Sequence, residues 1–130
     1  MNFQRKLIIL IGIISIFLLL SSGCTLFITP DYDSYTVSKI KVIPTWANVK
    51  INTSKTFTVW AYDSEGHSIP VDPSKVYWSC SFQCPACGTV WELNPTSGSI
   101  TTSFTPKKIG TYYIKATYKG KTDDSQINVY

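Results

Sequence analysis

Beyond Tyr35 the chain is cut by Pro, Gly, Asn, Asp and Ser roughly every 8 to 12 residues, and the runs between the cuts are rich in Val, Ile, Thr, Tyr, Phe and Trp. No stretch there repeats apolar residues at helical spacing over a useful length. Such side chains suit a pleated, half-buried surface, so the chain can hide its apolar face only by stacking sheets. The pattern predicts an all-β chain with strands at about residues 38–43, 48–51, 55–62, 75–81, 89–93, 99–104, 110–118 and 122–130.

Side chains alternate across a strand, which sorts the residues of each run by face. Phe57, Val59 and Ala61 fall on one face, as do Val76 and Trp78, then Tyr112, Ile114 and Ala116, then Ile127 and Val129. These are the expected core. Lys119 and Gly120 form a two-residue link between the last two runs, and Asp63, Ser64, Glu65 and Gly66 make a turn after the third, so antiparallel neighbours are the economical solution. Two facing sheets then make an immunoglobulin-like antiparallel β-sandwich, with Trp78 as the large filler of a central strand.

The runs Lys55-Thr-Phe-Thr-Val-Trp-Ala-Tyr-Asp-Ser-Glu-Gly66, Val76-Tyr-Trp-Ser79, Phe104-Thr-Pro106, Gly110-Thr-Tyr-Tyr-Ile-Lys-Ala-Thr117 and Ile127-Asn-Val129 follow one another in that order. Together they resemble the bacterial Ig-like domains of surface and secreted proteins, over nearly all of residues 37–130. That resemblance implies a spacer, adhesion or glycan-associated module. It carries over no catalytic residue.

Ahead of this region lies a basic start with Arg5 and Lys6, an apolar stretch at 7–20 broken only by Gly12 and Ser15, and Leu20-Ser-Ser-Gly-Cys24. The arrangement resembles a bacterial lipoprotein signal peptide, although that family usually has Leu at the third position before the cysteine and this chain has Ser21. The resemblance implies that residues 1–23 are removed and that Cys24 becomes the acylated first residue, held firmly by two or three chains where one would not suffice. An uncleaved signal anchor is the alternative. As a helix, 7–20 spans only about 21 Å at about 1.5 Å per residue, short of a bilayer core of about 30 Å, whereas 7–28 would reach. Arg5 and Lys6 keep the amino terminus inside in both cases, so residues from about 30 onward face outward, at a cell membrane or outer membrane. Residues 24–36 read as a lipidated tether, with Pro30, Asp31 and Asp33 and no periodicity. The domain proper is 37–130.

Removal of 1–23 leaves ten lysines against eight acidic residues, scattered rather than clustered. So weak an excess gives no reason for a nucleic-acid partner.

Cys80-Ser-Phe-Gln-Cys84-Pro-Ala-Cys87 interrupts the Ig-like pattern just after Trp78 and Ser79. Its C-x3-C-x2-C spacing matches the cluster-binding loop of radical S-adenosylmethionine enzymes, but those need a large α/β barrel in reducing surroundings. Zinc would want a fourth ligand, and His67, the single histidine, sits near the opposite end of the strand that leads to Cys80, roughly 20 Å away at about 3.3 Å per residue. No cofactor or metal is therefore expected. Outside the cell the cysteines favour a disulfide, and Cys80–Cys87, Cys80–Cys84 and Cys84–Cys87 are all open. Inward alternation of Val76, Trp78 and Cys80, with a turn at Cys84-Pro85, favours Cys80 with Cys87, closing a loop worth about 2.5 kcal/mol. The leftover thiol could join two chains into a homodimer.

Catalysis has little to work with. No G-x-S-x-G arrangement occurs, His67 lies in a polar turn, and the acid pairs Asp123 with Asp124 and Asp63 with Glu65 sit where solvated turn formers sit. Calcium at Asp63, Glu65, Asp72 or Asp123 is the residual metal option. Parity turns Trp60, Tyr62, Tyr77 and Tyr113 outward, where their faces could stack on sugar rings or a protein partner, or simply cover a sheet through cross-strand pairing. Trp46 and Trp91 take no face from parity. The expectation is a lipid-anchored, non-catalytic binding, adhesion or structural module of the cell envelope, with a carbohydrate-binding module as the alternative and a cysteine-based metal or redox domain behind both.

Overall fold

Alternation of burial along every long strand decides the layers. A computed structural model describes residues 29–84 and 87–130, which carry β1 (Lys39–Ile43), β2 (Trp46–Val49), β3 (Lys55–Tyr62), β4 (Ser68–Ile69), β5 (Val76–Phe82), β6 (Trp91–Asn94), β7 (Thr101–Pro106), β8 (Gly110–Tyr118) and β9 (Lys121–Val129). The leader and Cys24 lie outside the described residues, and among the described residues no helix is long and apolar enough to cross a membrane.

One sheet has the order β1-β3-β7-β6, with β4 also on β3, and the other β2-β9-β8-β5. This is the ABED and CFG arrangement of an immunoglobulin constant-type sandwich, with the first strand divided between the layers. The division explains the one departure from antiparallel pairing. At the cis Ile43–Pro44 bond the chain leaves the first sheet, and β2 then runs parallel to β9 on the second, Trp46 opposite Gln126 and Val49 opposite Val129. The strand pattern also omits β4, which is antiparallel to β3 and pairs Ile69 with Ala61. Two residues are too few to leave a periodic trace in sequence.

Phe57, Ala61, Val76, Phe104, Tyr112, Ile114, Ala116 and Ile127 are fully buried, and Val59, Trp78 and Val129 nearly so. All the side chains expected in the core are among them, while Cys80, also turned inward by alternation, is half-buried. Trp78 fills the β5 position expected of a core tryptophan, and its Nε1 donates to the Ser99 carbonyl at 2.9 Å. Near the start of β8, the buried Tyr112 hydroxyl donates to the Lys108 carbonyl at 2.7 Å, a tyrosine corner that fixes the β7–β8 connection. Gly110 is required beside it. Its φ is +146°, and a Cβ there would meet the Phe82 ring at 2.5 Å.

The open side of the sandwich is closed by Asp123 of β9, whose carboxylate accepts from the Val42 N–H of β1 at 2.7 Å. An inward-leaning charge on a sheet edge also discourages a further strand from adding there. Lys119 and Gly120, both at positive φ, form the type I′ hairpin that joins β8 to β9.

The sandwich has two distinct ends. At one, residues 30–35 lie against the domain rather than standing free: Lys75 Nζ is 2.6 Å from the Asp33 carboxylate, and Lys119 Nζ donates to the Tyr32 carbonyl at 2.6 Å. Val37 is already buried and Ser38 N–H donates to the Tyr62 carbonyl, so the incoming chain joins the first sheet at this end. At the other end are the β2–β3 turn, the β5–β6 connection and the β7–β8 turn, where Asn52 N–H bonds the Pro106 carbonyl and Lys107 N–H that of Val90. The nine residues of β8 separate the two ends by about 30 Å.

Candidate functional site

The four outward aromatics divide between opposite faces of the sandwich. Trp60 and Tyr62 lie on the outer face of the β1-β3-β7-β6 sheet, opposite Lys41 and Lys39 of β1. Lys39 Nζ sits 5.5 Å from the centre of the Tyr62 ring, a cation–π contact. β7 reaches β3 only as far as Thr58, and β4 begins opposite Ala61, so the edge of β3 opens beside Trp60. Ile69, Pro70, Val71 and Ile100 line the groove so formed, of about 370 Å³ and mainly apolar, with Trp60 46% exposed at its rim.

Tyr77 and Tyr113 lie on the outer face of the other sheet. Tyr113 pairs with Gln126, which in turn pairs with Trp46, so one row across three strands reads Trp46, Gln126, Tyr113. At about 4.8 Å per strand the two aromatics stand about 10 Å apart with a side-chain amide between them. Gln83 extends the row, its Nε2 donating to the Tyr113 hydroxyl at 3.4 Å. Tyr77 is 60% exposed but pairs with Thr117, four residues further along β8, and stands apart from that row.

Trp46, 53% exposed, is the surface residue that parity alone left unassigned. The strand containing it begins two residues before the expected start at Asn48, and Ala47 and Val49 point inward. That short alternation was the available signal. Trp91 is instead half-buried and packs edge-on against Tyr112, with ring centres 6.1 Å apart.

Among the cysteines, Cys84 is bonded to Cys87, with Cα atoms 5.4 Å apart, and Cys80 is a free thiol. The pairing favoured from alternation, Cys80 with Cys87, is not the one formed. β5 continues past Cys80, which pairs with Ile114, to Phe82, whose ring stacks on Tyr112 at 4.5 Å. The chain turns only afterwards: Cys84 N–H donates to the Phe82 carbonyl and Cys87 N–H to that of Cys84, which brings those two cysteines together. Burial pushes the Cys80 thiol up to about 12, so it stays protonated at neutral pH. Lys108, on the β7–β8 turn, places Nζ 3.2 Å from Cys87 Sγ.

The acidic residues considered for calcium have separate local partners. Asp63 accepts from the N–H groups of Glu65 and His67, both at 2.9 Å, and the His67 N–H foremost holds its carboxyl below the usual range. Asp72 caps the short 3-10 turn Pro73–Lys75 through Ser74, and Asp123 is engaged by Val42. His67 is exposed beside Asp63 and Glu65, at 3.3 and 3.5 Å. No three of His, Cys, Asp and Glu gather into a metal-binding group among the described residues.

No family model matches the chain, and no curated protein sequence matches it. Solved structures do share the fold. Domains 5 and 6 of the S-layer protein SbsC superpose with a TM-score of 0.54 at 18% identity, over 73% of this chain and 44% of that one. Domains 4 and 5 of the same protein give 0.53 at 18% identity, over 72% of this chain and 46% of that one. The Lin-41 filamin domain gives 0.52 at 14% identity, over 73% of this chain and 95% of its own length. This chain thus spans less than half of the two-domain S-layer fragments and nearly all of the single filamin domain.

Proposed function

We propose that the chain is an exported lipoprotein, acylated at Cys24, whose single Ig-like domain serves as a non-catalytic binding or structural module at the cell envelope. One observation carries this most: the chain enters the sandwich at one end through residues 30–35, which leaves both aromatic outer faces and the opposite tip clear of the membrane side. The likeness of its fold to domains of a surface-layer protein supports an envelope role, and the leader's resemblance to lipoprotein signals supplies the anchor. A partner on the first sheet would meet the Trp60 groove, apolar enough to take a protein side chain, with Lys41 of β1 on the far side of Trp60.

Labelled fatty acid supplied to expressing cells tests the anchor. Label should attach to the full chain and vanish in Cys24→Ala, with the domain released from the membrane fraction. Unchanged membrane association of an unlabelled Cys24→Ala chain would favour the signal anchor instead.

Glycan binding is a second role, favoured by the row Trp46, Gln126, Tyr113. Aromatic faces about 10 Å apart with an amide between them suit two sugar rings of a chain, stacking and hydrogen bonding together. Tryptophan fluorescence titrated with a glycan panel tests it. A response lost in Trp46→Ala and kept in Trp60→Ala places the sugar on the second sheet; the reverse, or no response, rejects it.

A further inference from the structure

We propose that Cys84 and Cys87 form a thiol–disulfide exchange site whose substrate is a dithiol presented to the tip of the domain farthest from residues 30–35. The bond ties together no two elements of the sandwich. Both cysteines belong to the β5–β6 connection, three positions apart, so the ring they close constrains the unfolded chain less than a longer loop would. Neither belongs to the core, where Phe82, Trp91 and Phe104 pack on the Tyr112 ring.

A second element supplies the charge that exchange chemistry uses. Lys108 Nζ lies 3.2 Å from Cys87 Sγ, and among the described residues Lys108 has no carboxylate within salt-bridge distance. Its neighbour Lys107 is paired with Glu92 at 3.2 Å. The ammonium of Lys108 is thus placed to stabilise a thiolate at Cys87, where the intact disulfide carries no charge. It also selects the direction of attack, because the sulfur whose thiolate is stabilised is the better leaving group.

A substrate thiolate attacks Cys84 Sγ. The bond between Cys84 Sγ and Cys87 Sγ breaks, and its electron pair stays on Cys87 as a thiolate beside Lys108. The substrate's second thiol loses its proton to solvent and attacks the substrate sulfur of the mixed disulfide. Cys84 then leaves as a thiolate and takes up a proton. The substrate dithiol is oxidised to a disulfide, and Cys84 and Cys87 are reduced by two electrons. Cys80 is no part of this: it is half-buried on β5 and stays protonated.

The test uses the full chain in detergent, oxidised, with dithiothreitol at neutral pH as the probe dithiol. Alkylation and mass measurement follow the two thiols released. Lys108→Ala should slow reduction by about threefold, the effect of one unit in leaving-thiol pKa at a Brønsted slope of about 0.5. Lys108→Arg should restore the rate, and Lys107→Ala should leave it unchanged. In the reduced chain the alkylation of Cys87 should titrate below about 8.5 and return toward it in Lys108→Ala. Equal reduction rates for the wild type and Lys108→Ala would overturn the proposal. So would loss of the near-ultraviolet circular dichroism on reduction, because the bond would then be holding the fold.

Discussion

Gly110→Ala is the substitution whose cost the structure allows to be divided into parts. At φ +146° an alanine is strained whatever the space around it, at about 1–3 kcal/mol. Its Cβ would also stand 2.5 Å from Phe82 Cε2 and 3.0 Å from Cζ, so the ring must move. That ring is stacked on Tyr112 at 4.5 Å with 24° between planes, and losing the stack adds about 0.5–1.5 kcal/mol. Together the two come to about 2–4 kcal/mol, which lowers the melting temperature of a domain this size by about 10–25 °C. Urea denaturation followed by tryptophan fluorescence measures the cost, and a double-mutant cycle with Phe82→Ala separates its sources. Once Phe82 is truncated, Gly110→Ala should cost only the backbone share, leaving a coupling of about 0.5–1.5 kcal/mol. If the two substitutions add without coupling, the ring is not what confines this position. If Gly110→Ala costs less than about 0.5 kcal/mol, the backbone account falls as well.

Tyr112→Phe strips the Lys108 carbonyl of its donor and should cost about 1–3 kcal/mol, shifting the urea midpoint without changing the slope. Ser125→Ala should be neutral or stabilising by about 1 kcal/mol, because the Ser125 hydroxyl is wholly buried with no hydrogen-bond partner among the described residues; a clear drop in melting temperature would reveal an acceptor. Asp123→Ala should cost about 1–3 kcal/mol by orphaning the Val42 N–H, while Asp124→Ala on the solvent side serves as the near-neutral control. Asp33 is held below its ordinary value of 3.8 first by the hydrogen bond from Lys75 and then by the charges of Lys75 and Lys119. A depressed carboxyl stabilises above its unfolded value and loses that contribution as pH falls through the folded one. The docking of residues 30–35 should therefore hold at neutral pH and loosen below about pH 3.8, seen as faster amide exchange there and not in β8.

Residues that repeat every second position were legible in the sequence, because alternation reports which face a residue occupies regardless of what covers it. Phe57, Val59 and Ala61, or Tyr112, Ile114 and Ala116, needed no partner to be placed inward. Pairing across space left weaker traces. Nothing local says that the chain leaves one sheet at Pro44 and joins the other in parallel, since the choice depends on which edge β9 leaves open. The cysteines were misjudged for a related reason. Alternation correctly turned Cys80 inward, but an inward residue on a strand still paired with Ile114 is held away from the loop beyond it, and the turn that closes after Phe82 brings Cys84 to Cys87 instead. Outward parity found Trp60, Tyr62, Tyr77 and Tyr113 without indicating that they belong to two faces, because parity is blind to which sheet a strand enters.

That last point decides what a partner can use. Aromatics divided between opposite outer faces cannot grip one ligand together, so a binding role must choose between the Trp60 groove and the Trp46 row. The two offer different chemistry. The groove is mainly apolar, lined by Ile69, Pro70, Val71 and Ile100, a setting for an apolar protein side chain. The row is flatter, with Gln126 and Gln83 among its rings, a setting for hydroxyl-rich ligands. Because residues 30–35 enter at one end and β8 runs about 30 Å to the other, both faces stand parallel to the long axis and neither points back along the incoming chain. Under the proposed binding role, a partner on either flank would leave free the tip where Cys84, Cys87 and Lys108 are gathered. Saturating one surface should therefore leave the others reactive. Unchanged reduction kinetics of the disulfide in Trp46→Ala and Trp60→Ala would show that independence, and a slowed rate in either would tie that face to the tip.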